Sequence, residues 1–237
     1  PLSSSRISDA FNAAEGISDE GKKSDSLEFG LMKTRLEVYY EKIPANALRS
    51  FQAKVNVNPS DANIYGLALA HEKNSNFDKS LSLLNNLIEK YPKNLVINTT
   101  KVDVLLSNDE FKRALTLVDR FLEISPKNYP LSISKSKVLL AMKKYFESEE
   151  IIRDQLLRRN DDPELWLLLS EIQRSSQNII GYHQSRAEYF LLLGQDEQAL
   201  NQLEFALQLT QNNFQVSESI MNKIVKIKKD LSNSRGL

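Results

Sequence analysis

The strongest constraint in this chain is a phrase written twice, NFDKSLSLLNNLIEKYPKN at 76–94 and EFKRALTLVDRFLEISPKN at 110–128. Phe77 recurs as Phe111 and Pro92 as Pro126, each pair 34 residues apart (111 − 77 and 126 − 92). Numbered from Asp61, a small residue recurs on the same step as Ala68, Val102, Ser136 and Ser170, and a second series runs Ser80, Ala114, Ser148. A large plug that opens each second helix follows as Ile43, Phe77, Phe111, Tyr145 and Ile179. Small side chains let helix axes approach closely, and large ones fill the gap between neighbouring pairs. Three series on one period therefore predict stacked helical hairpins.

Thirty-four residues is the period of the tetratricopeptide repeat, a helix–turn–helix unit that builds a superhelix. With only 7 Gly and 7 Pro in 237 residues there is room for long helices, and strands are not indicated. The expected fold class is all-α: a superhelix of tetratricopeptide-repeat (TPR) hairpins with a C-terminal capping helix. Its units fall at about 27–60, 61–94, 95–128, 129–162 and 163–210 within a solenoid over 27–237. The first is degenerate, because stepping back from Ser80 lands on Asn46. The register then breaks: the second small series predicts position 182, which is Tyr182, whereas LLLGQDEQALNQLEFALQL puts its small residue at Ala199, half a repeat later. Ser170 to Ala187 is the same half step, so one helix near 179–193 is expected to close the fourth unit and open the fifth. A cap over 214–231 follows, with Ile220, Ile224, Ile227 and Leu231 on one face and Lys223, Lys226, Lys228 and Lys229 around the rest.

Ahead of the repeats, residues 1–26 read as a short helix and a linker. Ser5 or Ser8 caps a stretch carrying Ile7, Ala10, Phe11 and Ala14, and a polar run between Gly16 and Gly21 follows. A helix that short is marginal in water and must dock on something. The chain opens on Pro1 with no initiator Met and no signal-like segment, which suggests a piece of a longer protein. Thirty-one basic and 31 acidic residues cancel, so no global field draws the chain to nucleic acid or an anionic membrane. No apolar run approaches the ~18 residues of a membrane span. Zero cysteines exclude disulfides and thiolate metal sites.

Candidate chemistry is sparse. His71-Glu72 begins the metalloprotease word, but its second His position is Ser75, and His183 is more than a hundred residues away. His71 reads as a packing residue, and neither a metal nor a cofactor is expected on this chain. Glu149–Glu150 and Asp161–Asp162 are adjacent and point to different helix faces, so they make no acid/base couple. There is no phosphate loop or nucleophile elbow.

What such repeats offer is a concave surface lined by their first helices. The usual inward positions are Tyr65, Leu69 and Glu72; Thr99, Asp103 and Leu106; Ile133, Lys137 and Leu140; and Leu167, Glu171 and Arg174. That amphipathic mixture lacks the clustered lysines and asparagines of a carboxylate clamp for peptide tails. A protein or unfolded-peptide partner fits it, as does contact with the rest of a parent protein.

Two phrases are more specific than the period. PLSSSRISDAFNAAE at 1–15 resembles the end of the catalytic domain of BepA-like (YfgC-like) zinc metalloproteases, where a similar phrase joins the protease to a C-terminal repeat domain. HQSRAEYFLLLGQDEQALNQLEFALQL at 183–209 is similar to a phrase near that family's C-terminus, matching at Arg186, Ala187, Glu188, Tyr189, Gly194, Ala199, Gln202, Leu203 and Ala206. The resemblance implies a periplasmic parent whose HExxH zinc site lies upstream of Pro1, concerned with outer-membrane protein assembly and quality control. It implies for this chain a non-catalytic interaction scaffold, possessing no metal ligand, that contacts its own protease domain or the assembly machinery. The alternative is a stand-alone TPR adaptor that binds peptide segments and has nothing to do with proteolysis.

Overall fold

The computed structural model describes residues 26–210 and 213–235, so the helix and linker expected at 1–26 lie outside the described residues except for Ser26. Among the described residues there are twelve α-helices and no strand. Backbone packing divides them into two units, one ending at Asn74 and the other beginning at Ser75.

The first unit holds α1 (Leu27–Tyr40), α2 (Pro44–Val57) and α3 (Asp61–Lys73). Ser26 caps α1 by accepting from the Phe29 N–H, and Ser60 caps α3 by accepting from the Asn63 N–H. Proline opens α2, where its missing N–H costs nothing. Both α1 and α2 pack on α3, burying Leu31, Val38, Phe51, Tyr65 and Ala68. Gly66 permits this: a Cβ there would sit 2.2 Å from the Phe51 ring and 2.4 Å from the Thr34 methyl. At the far end Lys73 Nζ donates to the carbonyls of Val38, Tyr39 and Glu41 at 2.7, 3.2 and 2.6 Å, satisfying acceptors that the end of α1 leaves open. Along α1, Leu31 and Val38 are buried, whereas Leu36, Tyr39 and, just past its end, the expected plug Ile43 are more than half exposed.

The second unit runs α4 (Phe77–Lys90), α5 (Leu95–Ser107), α6 (Phe111–Ile124), α7 (Tyr129–Ala141), α8 (Tyr145–Leu156), α9 (Pro163–Ser175), α10 (Ile179–Leu192), α11 (Asp196–Gln208) and α12 (Phe214–Arg235). Each helix packs on the next, and α5 also packs on α7. The small-residue positions sit where helices cross: Val102, Ala114, Ser136, Ser148, Ala187 and Ala199 are all fully buried. Phe77, Phe111 and Tyr145 are half-buried plugs, whereas Ile179 is 41% exposed. That last plug opens the helix at which the register shifts, so the neighbour the period would place over it is displaced by half a repeat.

Two further series keep the period. N-caps fall at Ser60, Asn94, Asn128 and Asp162, and the side chain of each accepts a main-chain N–H of the first helical turn. The turns inside the hairpins place Ser75, Asp109, Lys143 and Gln177 in the left-handed region, with φ of 58°, 57°, 60° and 63°. Three of them close with a bond of the Schellman type: Glu110 N–H to Leu105 O, Lys144 N–H to Leu139 O, and Asn178 N–H to Gln173 O. The next such turn comes after half a step, at Gly194 (φ 70°), where Gln195 N–H reaches Phe190 O. A single helix, α10, fills the interval and packs on both α9 and α11.

The C-terminal core joins Ala187, Ala199, Leu203 and Ala206 to Ile220, Ile224 and Ile227 of α12. On the outside of α12, Lys223 pairs with Glu188, and Lys228 with Glu204 at 3.2 Å. Burial and the neighbouring Lys226 hold Lys223 below the usual lysine range.

Candidate protein-binding face

The site begins with capping chemistry. Asp162 accepts the Glu164 N–H at 3.0 Å with one carboxylate oxygen and the Tyr129 hydroxyl at 2.6 Å with the other. One residue thus ties the first turn of α7 to the first turn of α9. The Arg159 guanidinium lies over the Tyr129 ring, 4.5 Å from its centroid. Burial, reinforced by the bond to Asp162, pushes the Tyr129 phenol up to about 12.

Below this clasp a cleft opens between α7 and α9, lined by Tyr129, Ile133 and Lys137 on one side and Glu164, Leu167, Leu168 and Glu171 on the other. Spacing explains the lining: 129, 133 and 137 are successive four-residue steps along one face of α7, and 164, 167, 168 and 171, three or four apart across the pairs 164/167, 164/168, 167/171 and 168/171, share one face of α9. Ile133, Leu167 and Leu168 give an apolar lining, and the exposed Lys137, Glu164 and Glu171 give a charged rim. No nucleophile is paired with a base here. The arrangement can take up an apolar side chain and offer charges of both signs to the chain that carries it.

Four of the twelve inward positions, Ile133, Lys137, Leu167 and Glu171, meet in this cleft. Leu140 lies two turns along α7 and packs against the core of Ile152, Leu165 and Ile172, and Arg174 is exposed near the end of α9. On α5, Thr99 is 8% exposed and its hydroxyl donates back to the Leu95 carbonyl at 2.7 Å. Asp103 accepts from the Ser134 hydroxyl at 3.4 Å, and Leu106 is half-buried. In the first unit Tyr65 is fully buried with its hydroxyl accepting from Arg35 Nε at 3.1 Å, Leu69 is 8% exposed, and Glu72 is half-buried. Sequence reasoning missed Tyr129, Glu164 and Leu168. Tyr129 is one helical step before Ile133, and that step was its signal.

His71 is buried in α3. His183 Nδ1 lies 2.9 Å from Gln202 Oε1, with its ring 5.5 Å from that of Phe205, so it joins α10 to α11. Among the described residues no three of His, Cys, Asp or Glu are grouped to hold a metal ion. No described helix is long and apolar enough to cross a membrane.

A tetratricopeptide-repeat family model matches residues 105–172, a stretch that includes every residue lining this cleft. The chain is similar in structure to a thermophilic TPR protein of Thermus thermophilus, at 16% identity and a TM-score of 0.51, over 84% of this chain and 100% of that one. It is also similar to a tetratricopeptide repeat protein of Parabacteroides merdae, at 14% identity and a TM-score of 0.52, over 93% and 91% of the two chains. No curated protein sequence matches it significantly. At these identities the likeness speaks for architecture alone, and it agrees with the periodic caps, crossings and turns: the chain has the tetratricopeptide-repeat fold, an all-α array of helical hairpins.

Proposed function

We propose that this chain is a non-catalytic scaffold that binds an extended polypeptide segment, seating an apolar side chain of that segment between α7 and α9. The observation that carries the reading is the convergence of Ile133, Lys137, Leu167 and Glu171 on one cleft whose mouth is fixed by the Tyr129–Asp162 bond. Elsewhere on the inward faces, Thr99 and Leu69 are spent on packing, so specificity concentrates at this cleft.

The test uses fluorescence anisotropy with a labelled, permanently unfolded polypeptide as probe. Leu167→Lys places a charge on the apolar lining and is expected to weaken binding at least about tenfold, a loss of ~1.4 kcal/mol, while the melting temperature stays near that of the parent. Binding that Leu167→Lys and Ile133→Asp both leave unchanged overturns the assignment.

A finer reading extends this one. The scaffold serves a periplasmic zinc metalloprotease of the BepA-like type, docking it to substrates or to the outer-membrane protein assembly machinery. Its support is the phrase at 183–209, in which Ala187, Ala199, Leu203 and Ala206 form the core at the half-repeat shift and Gly194 makes the left-handed turn. Reading the gene upstream of Pro1 decides it: an HExxH helix in frame supports the reading, and its absence leaves the stand-alone adaptor.

A further inference from the structure

A second cleft, of about 380 Å³, lies between α5 and α6. That volume falls within the ~300–1,000 Å³ range of ligand clefts. Leu105 lies buried at its base beside the half-buried Leu117 and the exposed Thr116, and its charged residues are Lys101 from α5 with Lys112, Arg113 and Arg120 from α6. Four cations and no carboxylate line it, in a chain whose 31 basic and 31 acidic residues otherwise balance.

None of the acids of this hairpin lines the cleft. Asp103 accepts from Ser134, and Asp119 pairs with Lys135 at 2.7 Å, so both are turned toward α7. Glu110 accepts from the Asn108 amide at 2.7 Å and pairs with the cleft residue Arg113, and these bonds hold its carboxyl below the usual range. Glu123 is exposed, lies beyond Arg120 and lines no part of the cleft. Lys101, Lys112 and Arg120 form no ion pair among the described residues. Burial and the adjacent Arg113 depress the Lys101 ammonium. Like charges gathered on an apolar floor oppose one another, and an anionic ligand removes that opposition.

The spacing sets the ligand's size. Lys112 and Arg120 are eight residues apart on one helix, ~12 Å along its axis at ~1.5 Å per residue. A single carboxylate or phosphate cannot reach both ends, whereas about four residues of extended chain can. No aromatic ring lines the cleft to stack a base, and the neutral chain lacks the basic footprint of a nucleic-acid binder.

We infer that the α5–α6 cleft binds an acidic, extended peptide segment, whose carboxylates meet Lys101, Lys112 and Arg120 while its aliphatic carbons rest on Leu117. This site is separate from the α7–α9 cleft, and either assignment can fail without the other.

The experiment is fluorescence anisotropy with a labelled hexapeptide of alternating glutamate and valine, its lysine–valine counterpart and a labelled single-stranded oligonucleotide. The acidic peptide is expected to bind with an affinity that falls steeply with salt, and the double variant Lys101→Glu/Arg120→Glu to weaken it at least about tenfold. Lys226→Glu/Lys229→Glu, on α12, is expected to leave binding unchanged. If substitution at the half-buried Lys101 unfolds the chain, the exposed pair Lys112→Glu/Arg120→Glu replaces it with the same expected loss. No binding, equal binding of the lysine peptide, tighter binding of the oligonucleotide, competition by inorganic phosphate alone, or loss in the α12 variant rather than the α6 variant would each overturn the inference.

Discussion

Ser136 on α7 and Ser148 on α8 bind each other across the helix crossing, with their hydroxyls 2.8 Å apart and both side chains fully buried. Ser148 Oγ donates to the Ser136 carbonyl at 2.8 Å, and Ser136 Oγ lies 3.2 Å from the Ser148 carbonyl. The same crossing is made by Val102 and Ala114 one repeat earlier and by Ala187 and Ala199 after the half-step, with no polar atom at all. What the position demands is small size, and the serines meet that demand while satisfying their own hydroxyls.

Each single change, Ser136→Ala or Ser148→Ala, is therefore expected to cost about 1 kcal/mol, since it leaves one buried hydroxyl to repair its bonding. The double variant should cost less than the sum, because alanine already fits this crossing elsewhere in the chain. Urea melts of the three variants check it, and strict additivity would show that the two hydroxyls are not a unit.

Ala114 tests the crossing in the other direction. It is fully buried between α5 and α6. Ala114→Arg forces a long charged side chain into that contact and is expected to cost at least about 3 kcal/mol, through overpacking and an unpaired buried charge. An unchanged melting curve would displace the register on which the whole array is read.

The packing periodicities were legible because size is encoded in residue type: Ser, Ala and Val at 102, 114, 136 and 148 announce a close approach whichever of them is used. The cap series Ser60, Asn94, Asn128 and Asp162 was equally available, since these residue types share one mechanism. The left-handed turns were not, because Ser75, Asp109, Lys143 and Gln177 have no chemistry in common and only Gly194 carries the expected signal. At the site, helical spacing found the faces that form the α7–α9 cleft. Ideal inward positions could not tell that the Tyr65 ring is swallowed by the core or that Thr99 bonds back to its own helix. The basic cleft was hidden because its cations come from two helices, and overall charge averages them away.

Those left-handed turns are open to improvement. A non-glycine residue at φ near 60° carries about 1 kcal/mol of backbone strain. Lys143→Gly and Gln177→Gly are each expected to stabilise the second unit by about 0.5–1 kcal/mol, less the entropy that glycine adds to the unfolded chain. Gly194→Ala is expected to cost a similar amount even though nothing lies within 4 Å of the added carbon, so the loss is conformational alone. Thermal melts that move opposite ways for Gln177→Gly and Gly194→Ala support equivalent turns on either side of α10.

Tyr129 gives the clasp at the cleft mouth a pH signature. Its phenol is raised to about 12, chiefly by burial and then by the bond to Asp162, against ~10 for an exposed tyrosine. A raised acid favours the neutral form in the folded chain. Its contribution to stability is therefore complete below pH ~10 and is lost as pH rises from there through about 12. In a spectrophotometric titration of the folded chain, Tyr129 should be among the last phenols to ionise, and Tyr129→Phe should remove that late phase and flatten the alkaline loss of stability. Asp162→Asn should move the phase downward only in part, because burial remains. The same substitution removes the charge that links α7 to the first turn of α9, so it should also loosen probe binding at the Ile133–Leu167 cleft. A late phase that survives Tyr129→Phe would assign that ionisation to another tyrosine and remove the pH signature of the clasp.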